Sequence, residues 1–389
     1  MGECMNILYY SWNEVMAQDI IDTLRDMGNT VNIADYPMKD YLKDASFIEK
    51  MESDIDKNNY DCIITCNYVP LISKISLRKK LPYIAWISDS PCLTVYSEMI
   101  FNPYNFVFHF DNDEVVKLKN MGVTNIYHMP LAVNTKRVLK KVQANNCRCN
   151  KDVTFLGNLY SQDANSVFKI NGMSDYQKGY IQAIIDAQLR IMGSDIIEGS
   201  VTDDFIKDLL SIVDIQIDDE LMFNRKGIIL NMIRKEATVV ERHELINLLS
   251  SNFKVDLYTP SDVSRLNNIN VHGYADYYNE MPVIFNSSKI NLNITLRSIL
   301  SGISLRNLDV MGAGGFLLSN YQNELAMYFE EGKEMVMYYD RQDLINKINY
   351  YLVHDEERIE IAKAGQKKIL ENFDYSMAWE EIFATVFGR

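Results

Sequence analysis

Short apolar runs alternate with amphipathic stretches along the first third of the chain. The runs Asp61–Cys66 (DCIITC) and Tyr83–Ser88 (YIAWIS) are apolar throughout, which is typical of strands covered on both faces of a parallel sheet. Similar runs occupy residues 6–11, 30–34, 106–110 and 125–128. Between them the apolar residues recur with helical periodicity, first in Glu14–Met27, which Gly28 ends. The pattern predicts a doubly wound parallel α/β sheet.

A second series of strand-like runs follows a polar stretch that is rich in Lys and Asn. Strands are predicted at residues 152–156, 254–258, 269–272, 289–294, 316–319 and 335–338. Residues 175–251 have a helical pattern without a strand, which is more than one crossover helix needs, so we expect a helical insertion there. Helices are predicted at residues 341–353 and 355–372, and the tail from Tyr375 is amphipathic.

These patterns, with a length of 389 residues, predict two Rossmann-like domains. We expect the first domain at residues 1–134, a linker at 135–151 and the second domain at 152–374, with the insertion at about 175–251. The last residues, 375–389, are expected to form a helix that crosses back to the first domain.

Charge and cysteine content exclude several classes of partner. The net charge of −14 argues against a nucleic-acid groove or an anionic membrane surface as the main partner. The 6 cysteines and 5 histidines have no zinc-site spacing, so reduced thiols in a cytoplasmic protein are expected. No signal peptide is evident, and no apolar run reaches the roughly 18 residues of a membrane span.

The stretch Lys289–Ser319 carries the clearest chemical signal, because it reads as strand, polar loop, helix, glycine turn and strand. A helix that begins near Ser304 would direct its first N–H groups at the loop, where a phosphate could bind. Arg297 and Arg306 could supply positive charge to a diphosphate, and Asp309 could accept hydrogen bonds from a ribose. The alternative is an ordinary helix with a glycine C-cap. Binding of a nucleoside diphosphate in this way indicates a sugar transferase.

Polar residues at the carboxyl ends of the first-domain strands are the candidates for the other half of the chemistry. Asp89 follows a buried strand and is the candidate general base, although an Asp before Ser-Pro can also simply cap a turn. His109 is a second candidate, with a core histidine as the alternative reading. The predicted acceptor side consists of Ser11, Trp12, Asn13, Asn67, Tyr68 and Ser90. Asp111 and Asp113 are expected to cap a helix, and no metal site is predicted.

Eight short motifs resemble the CgeB-type spore-maturation glycosyltransferases of the glycosyl transferases group 1 type, which have the GT-B fold. They are Trp86–Pro91, Met129–Asn134, Phe155–Gly157, His272–Tyr274, Lys289–Asn293, Ser301–Ile303, Leu305–Asp309 and Gly314–Leu318. The resemblance implies two Rossmann-like domains facing a cleft and transfer of a hexose or N-acetylhexosamine from a UDP-sugar donor, with no further cofactor. It implies an acceptor such as flagellin, another spore or surface protein, or a surface glycan.

The resemblance also assigns roles to single positions. Many retaining GT-B enzymes carry two glutamates separated by seven residues, and Asp309 stands at the place of the second, which binds the donor ribose. Ser301 stands at the place of the first, and this departure leaves the stereochemical outcome and the contact to the sugar hydroxyls open. Gly157–Tyr160 replaces an Arg and a Lys that such enzymes often carry, so Arg297 and Arg306 are the candidate substitutes.

The remaining candidate donor-binding residues are weaker. Gly273 could bind the base through its backbone, and Tyr274 could stack on the base. Asn291 and Asn293 either line the cleft or cap the next turn, and Glu324 is either a ligand or a helix N-terminal acid. The loop and first helical residue complete the set with Gly302, Ile303, Ser304 and Leu305.

Two alternative functions remain open at the level of sequence. Ser301 in place of an acid would suit a catalytically weak GT-B scaffold or a binding partner of another transferase. Because fold alone does not define chemistry, a sugar-nucleotide epimerase of the same architecture is also consistent with the pattern.

Overall fold

A computed structural model describes residues 4–145, 150–161, 166–213, 222 and 225–388. Cys147 and Cys149, which fall in the expected linker, lie outside the described residues. The described chain forms two compact units, the first from residues 4–134 and 373–388 and the second from most of residues 135–372.

The first unit is built on a six-stranded sheet in which every neighbouring pair is parallel. Its strands are β1 Asn6–Tyr10, β2 Thr30–Ala34, β3 Cys62–Cys66, β4 Tyr83–Ile87, β5 Asn105–His109 and β6 Ile126–His128. They lie in the order β2-β1-β3-β4-β5-β6. Strands β3 and β4 are buried along their whole length, which explains their unbroken apolar sequences.

Four helices follow strands of this sheet: α1 Ala17–Asp26, α2 Ala45–Lys57, α3 Pro70–Lys79 and α4 Asn112–Asn120. Helix α1 begins at Ala17 rather than at the expected Glu14, because a turn with Asn13 at a φ of 66° precedes it. Asp111 caps α4 by accepting a hydrogen bond from the Asp113 amide, as its sequence position predicts.

The second unit contains another six-stranded parallel sheet. Its strands are β7 Lys151–Leu156, β8 Val255–Tyr258, β9 Asn270–Gly273, β10 Ser288–Asn293, β11 Leu317–Asn320 and β12 Val336–Tyr338. Their order is β12-β11-β10-β7-β8-β9. All six lie within a residue or two of their predicted positions, which confirms the doubly wound α/β class.

The helices of the second unit flank this sheet or form a cluster of their own. In chain order they are α5 Thr135–Ala144, α6 Asp175–Gln188, α7 Ile197–Ser200, α8 Asp203–Leu210, α9 Arg225–Ser250, α10 Met281–Asn286, α11 Leu305–Gly312, α12 Asn323–Tyr328, α13 Arg341–Val353 and α14 Asp355–Asn372.

The segment expected to be a helical insertion is joined to the sheet by one long helix. The first half of α9, through Ile229 and Ile233, packs with α6 and α8 in a separate apolar cluster. The second half, through Leu245 and Leu249, packs in the core of the second sheet. The helical cluster is therefore anchored to the sheet by a continuous helix.

The stretch expected to be a linker at residues 135–151 contains helix α5. Its sequence is mostly polar, with Val138 buried and Leu139 and Val142 partly buried. The Arg137 guanidinium lies 4.9 Å from the ring centre of Tyr277 and donates to the Tyr278 carbonyl at 3.2 Å. Contacts of the arginine side chain thus help to dock a short helix where the sequence analysis expected a linker.

The last helix, α15 Tyr375–Phe387, packs in the first unit. Trp379 and Tyr375 each lie 5.6 Å from Trp86 of β4 in edge-to-face contacts between ring centres. The Tyr375 amide also donates to the Val133 carbonyl at 3.2 Å. The two ends of the chain therefore share one core.

None of the described helices is both long and apolar enough to cross a membrane. The described cysteines are unpaired, and burial raises the pKa of the Cys62 and Cys66 thiols well above its usual range. These two thiols therefore act as small apolar core groups.

Candidate functional site

The second sheet reverses its strand order between two strands, β7 and β10. From β7 the chain continues to β8 and β9 on one side, whereas β10 pairs with the other side of β7 and leads to β11 and β12. In open α/β sheets the crevice beyond the carboxyl ends of two such strands is where ligands bind. The loops after β7 and β10, at residues 157–161 and 294–304, border this crevice.

Helix α11 begins in the second of these loops, with Ser304 as its N-cap, where the sequence predicts the helix to begin. The Ser304 side chain does not cap the helix, so it leaves the first-turn N–H groups without a side-chain acceptor. The Asn293 amide, at the end of β10, donates to Thr295 Oγ1 at 2.9 Å and to Ser319 Oγ at 3.1 Å. Asn293 thus braces the strand end rather than presenting its amide to solvent.

The guanidinium groups of Arg242 and Arg306 lie near these loops, and neither forms an ion pair with a carboxylate among the described residues, although the charges of Glu241 and Asp309 act on them from further away. Arg306 contacts Met281 Sδ at 3.6 Å, and burial lowers its pKa, which the Asp309 charge partly offsets. Arg242, on α9, donates to the carbonyls of Ile294, at 2.6 Å, and Asn158, and burial lowers its pKa too. The charge of Arg306 adds to the lowering for Arg242, because the two cations repel each other.

The ring of Tyr160, in the loop after β7, lies close to several cationic side chains. The Arg242 guanidinium lies 5.5 Å and the Lys235 ammonium 5.3 Å from the centre of its ring. Tyr160 also interacts electrostatically with Arg306. Cationic side chains from other elements therefore surround the loop after β7, which carries no Lys or Arg of its own.

Arg297 has surroundings unlike those expected of a diphosphate ligand. Its Nε and Nη2 donate to the two Glu241 carboxylate oxygens at 2.8 and 2.6 Å, and Nη1 donates to the Ile191 carbonyl at 2.9 Å. Both members of this ion pair are buried, with side chains 8% and 4% exposed. Arg297 therefore holds the loop after β10 against α9, and its charge is neutralised inside the protein.

Asp309 is buried inside α11, and Tyr277 donates to its Oδ1 at 3.4 Å. The carboxylate lies one turn after Arg306, whose charge it offsets. Leu305 begins the helix, and Gly302 and Ile303 are buried in the loop before it. This segment agrees with the elements predicted for it.

Ser301 and Glu324 lie together, although 23 residues separate them. The Ser301 hydroxyl donates to Glu324 Oε1 at 2.7 Å, and the Glu324 amide donates to the Ser301 carbonyl at 3.1 Å. Glu324 is 3% exposed and lies in the first turn of α12. The Glu324 carboxylate therefore lies beside Ser301, the residue that departs from the glutamate pattern described in the sequence analysis.

The other predicted donor residues divide into buried and exposed ones. The Asn291 amide donates to the Phe285 carbonyl at 3.0 Å and to the Phe316 carbonyl at 3.3 Å, so it fastens β10 from inside the core. Gly273 ends β9 with a φ of 77°, and the Tyr274 ring beyond it is 68% exposed. Tyr274 is therefore open to stacking, while Asn291 is not accessible to a ligand.

In the first unit the strand order reverses between β1 and β3, and the predicted acceptor-side residues lie beyond these strands except Ser90, which follows β4. Asn13 is exposed in the turn after β1, and its backbone N–H donates to Ser11 Oγ at 3.2 Å. The Trp12 side chain is 42% exposed. Glu14 is buried beneath the turn, where it accepts from the Trp12 amide at 3.0 Å and from Ser11 at 3.3 Å.

Asp89 is exposed at the end of β4 and is held by Asn67 at the end of β3. The side-chain amide nitrogen of Asn67 donates to Asp89 Oδ2 at 2.7 Å. The side-chain oxygen of Asn67 accepts from the Ser88 backbone N–H at 2.9 Å. Asn67 has a φ of 62°, in the left-handed region that asparagine tolerates. The candidate base is thus accessible and oriented by a neighbouring side chain.

Three further candidates of the first unit lie below the surface. His109 is 1% exposed, and its Nδ1 accepts from the Asp111 amide at 3.0 Å. Tyr68 is 1% exposed, accepts from the Asn105 amide at 3.1 Å, and has its pKa raised by burial. Ser90 is 7% exposed and donates to Asp111 at 3.5 Å. These positions support the rim from below.

Two residues of the site were missed by sequence reasoning. Arg242 lies in a helical stretch where an arginine is ordinarily a solvent-exposed residue, so no local signal distinguishes it. Glu14 was assigned to the beginning of a helix, although the preceding Ser-Trp-Asn could have indicated a turn that needs an acceptor.

Within the described part of the chain no group of three or more His, Cys, Asp or Glu side chains could hold a metal ion. A cavity of about 530 Å³ lies beyond edge strand β12, where Tyr338, Glu244 and Arg341 contribute to its lining. Glu244 and Arg341 pair with each other there. The lining includes neither Arg306 nor Asp309. This cavity is therefore separate from the crevice beyond the carboxyl ends of β7 and β10, which we call the switch crevice.

Comparison with known proteins agrees with this geometry. Residues 241–384 match the family model described as Glycosyl transferase-like. The fold is that of the GT-B glycosyltransferases. The residues that match this family model include Arg242, Arg306 and Asp309. No curated protein sequence matches the chain significantly.

Solved structures match over nearly the whole GT-B chain at low identity. The sucrose-phosphate synthase of Thermosynechococcus elongatus is 12% identical with a TM-score of 0.53, and each chain is covered to 99%. Anabaena HepE in complex with UDP-glucose is 12% identical with a TM-score of 0.54, over 99% of this chain and 100% of HepE. A glycosyltransferase from Rickettsia africae ESF-5 is 11% identical with a TM-score of 0.53, and each chain is covered to 99%.

Proposed function

We propose that this GT-B protein is a glycosyltransferase that moves a hexose or N-acetylhexosamine from a UDP-sugar to a protein or surface-glycan acceptor. The observation that carries the proposal is the pair Arg242 and Arg306, which form no ion pair with a carboxylate within the described residues and lie by the switch crevice of the second sheet. Arg242 is buried and Arg306 is partly buried, and a cation withdrawn from water without an ion-pair partner is costly. A bound diphosphate would remove that cost.

In the reaction, the bond between the anomeric carbon and the diphosphate oxygen breaks, and UDP leaves with the electron pair. The acceptor hydroxyl oxygen forms the new bond to the anomeric carbon, and its proton passes to a base, for which Asp89 is the candidate. Arg242, Arg306 and the first N–H groups of α11 would stabilise the charge that develops on the leaving diphosphate. This supports a reaction that needs no metal ion.

The donor would be held by two carboxylates. Asp309 is proposed to accept hydrogen bonds from the ribose hydroxyls, supported by its position one turn after Arg306. Glu324 is proposed to accept from a hydroxyl of the donor sugar, supported by its contact with Ser301. Tyr274 would stack on the uracil ring because it is exposed at the end of β9.

The resemblance of the motifs supports a finer assignment to the CgeB-type group. Free, buried Cys62, Cys66 and Cys92 support a cytoplasmic location, where thiols stay reduced.

Binding of UDP, UDP-glucose and UDP-N-acetylglucosamine can be tested by thermal shift. A ligand at a hundred times its Kd stabilises the folded state by about 2.7 kcal/mol, which would raise the Tm by several degrees. We expect Arg306→Met and Arg242→Met to lose most of this shift. The matched control is Arg78→Met, which removes a surface arginine of the first unit and should keep the full shift.

Each variant is first compared with the wild type by circular dichroism and by its ligand-free Tm, so that loss of binding is distinguished from loss of folding. Absence of a shift with all three nucleotides, or full shifts in both folded arginine variants, would rule out the proposed donor site.

A catalytically weak scaffold is the second candidate, because Ser301 replaces an acid of the motif. Release of UDP from a bound UDP-sugar, even by slow hydrolysis in the absence of an acceptor, would exclude it. Binding of a UDP-sugar without any release of UDP would favour it.

A further inference from the structure

The switch point of the first sheet, between β1 and β3, carries a rigidly mounted tryptophan. The Trp12 indole N–H donates to the Cys66 carbonyl at 3.1 Å, at the end of β3. The Trp12 backbone N–H donates to Glu14 Oε2 at 3.0 Å. Both ends of the residue are therefore fixed by protein acceptors while its side chain stays 42% exposed.

The buried acid beneath the turn explains why the tryptophan keeps this position. Glu14 is 7% exposed and accepts from the Tyr9 hydroxyl as well as from Ser11 and Trp12. A carboxylate that is buried under three donors forms a specific network, since a charge left unpaired there would be costly. Large apolar side chains on a turn are ordinarily mobile, whereas this one is braced from below.

A polar group lies close in sequence to the residue that holds the indole, because Asn67 comes directly after the end of β3. Asn67 follows Cys66, the acceptor for the indole, and its amide holds Asp89 at 2.7 Å. In the described chain Asn67 is the only side chain that hydrogen-bonds to the Asp89 carboxylate, which is exposed. An aromatic platform and an accessible carboxylate are thus held by consecutive residues at the end of one strand.

We propose that Trp12, Asn67 and Asp89 form a saccharide-binding subsite and that the acceptor is a carbohydrate hydroxyl rather than a protein side chain. A pyranose has an apolar face of C–H groups and an edge of hydroxyls. The flat indole can stack against that face, and the Asp89 carboxylate can accept from a hydroxyl on the edge. The role as acceptor rests on the proposed function, whereas saccharide binding does not.

Fluorescence quenching isolates this subsite, because Trp12 is the exposed one of the 3 tryptophans in the sequence. Trp86 and Trp379 are 1% and 0% exposed. Acrylamide should therefore quench Trp12 selectively. We expect maltotriose or chitotriose to protect Trp12 from acrylamide in a saturable manner, with and without UDP present, and a Ser/Thr-rich peptide to give no protection. Trp12→Phe should abolish the protectable signal.

Transfer kinetics test the acceptor role with whichever trisaccharide protects Trp12. We expect Trp12→Ala to raise the KM for that trisaccharide about tenfold or more, which is the usual cost of truncating a tryptophan anchor. Glu14→Gln, which weakens the bracing of the turn, should raise the KM less and leave kcat within about twofold. Val15→Ala, at a neighbouring residue that is 55% exposed, is the matched control and should leave the KM unchanged.

The two proposals fail in different ways. If UDP-sugars produce no thermal shift while saccharides protect Trp12, the proposed function is wrong and the saccharide subsite stands. If UDP-sugars bind but neither trisaccharide protects Trp12, or Trp12→Ala keeps the wild-type KM, the saccharide subsite is wrong. Protection by the peptide instead would identify a protein acceptor and overturn this inference.

Discussion

The guanidinium groups of Arg297 and Arg306 lie in one loop and helix, yet their surroundings differ. Arg297 is held in a bidentate ion pair with Glu241, whereas Arg306 lies against a methionine sulfur and a phenylalanine ring. The sequence analysis predicted that both arginines would lie beside a diphosphate. Only the fold shows that the first has its charge neutralised inside the protein, because Glu241 comes from a helix 56 residues away.

Removing Arg297 should destabilise the protein strongly, because it leaves the Glu241 carboxylate buried and unpaired. We expect Arg297→Leu to lower the free energy of unfolding by about 3–5 kcal/mol, and the double variant Arg297→Leu/Glu241→Leu to recover a large part of that loss. Urea titration followed by circular dichroism measures both changes.

The exposed pair of Arg341 and Glu244 provides the comparison, with side chains 56% and 44% exposed. Arg341→Leu should cost no more than about 1 kcal/mol. Equal losses for Arg297→Leu and Arg341→Leu would show that the buried ion pair has no special structural role.

At the level of elements, the turn from α11 to β11 depends on a close approach of backbone and side chains. A Cβ atom on Gly315 would lie 2.7 Å from the Phe285 carbonyl oxygen and 2.7 Å from the Asn291 amide nitrogen. Gly314 before it has a φ of 73°, which ends the helix. The glycine pair therefore both ends α11 and lets the chain before β11 approach the end of α10 and the Asn291 side chain of β10.

Gly315→Ala should lower the free energy of unfolding by about 1–3 kcal/mol, because a backbone oxygen cannot easily move away from the added methyl group. Gly179→Ala is the matched control, since Gly179 lies inside α6 with open space around it. That change should stabilise the helix by up to about 1 kcal/mol. Thermal unfolding of both variants gives the comparison, and a neutral Gly315→Ala would contradict the packing argument.

Elements were predictable where their signal is local. Buried parallel strands such as β3 and β4 need continuous apolar sequence, so their positions followed from the sequence alone. Helix α5 was missed, because its three large apolar residues stand among many Lys and polar residues, and part of its docking comes from Arg137 on an aromatic ring 140 residues later. The beginning of α1 was predicted three residues too early for a local reason, since a turn that Glu14 stabilises from below precedes the helix.

For the whole molecule, the fold joins the two ends of the chain within the first unit. Helix α15 places Trp379 against Trp86 of β4, and both rings are almost fully buried. The core of the first unit therefore includes residues that lie about 290 positions later in the chain than β4.

Trp379→Ala should destabilise the first unit by about 3–5 kcal/mol, because it leaves a large cavity beside Trp86. Met377→Ala in the same helix, at a residue that is 41% exposed, should change stability by less than about 0.5 kcal/mol. Differential scanning calorimetry measures both variants. If the two substitutions had equal effects, α15 would not be part of the core.

The sequence by itself determined the two parallel sheets, the helix that begins at Ser304 and the positions of Asp309 and Asp89, because these depend on apolar periodicity and on the ends of strands. The tertiary structure decided which charges remain available to a ligand. It paired Arg297 with Glu241, brought Arg242 beside Arg306 and placed Glu324 against Ser301. Such contacts join residues far apart in the chain, and whether a charge is buried, paired or accessible depends on neighbours that local sequence does not specify.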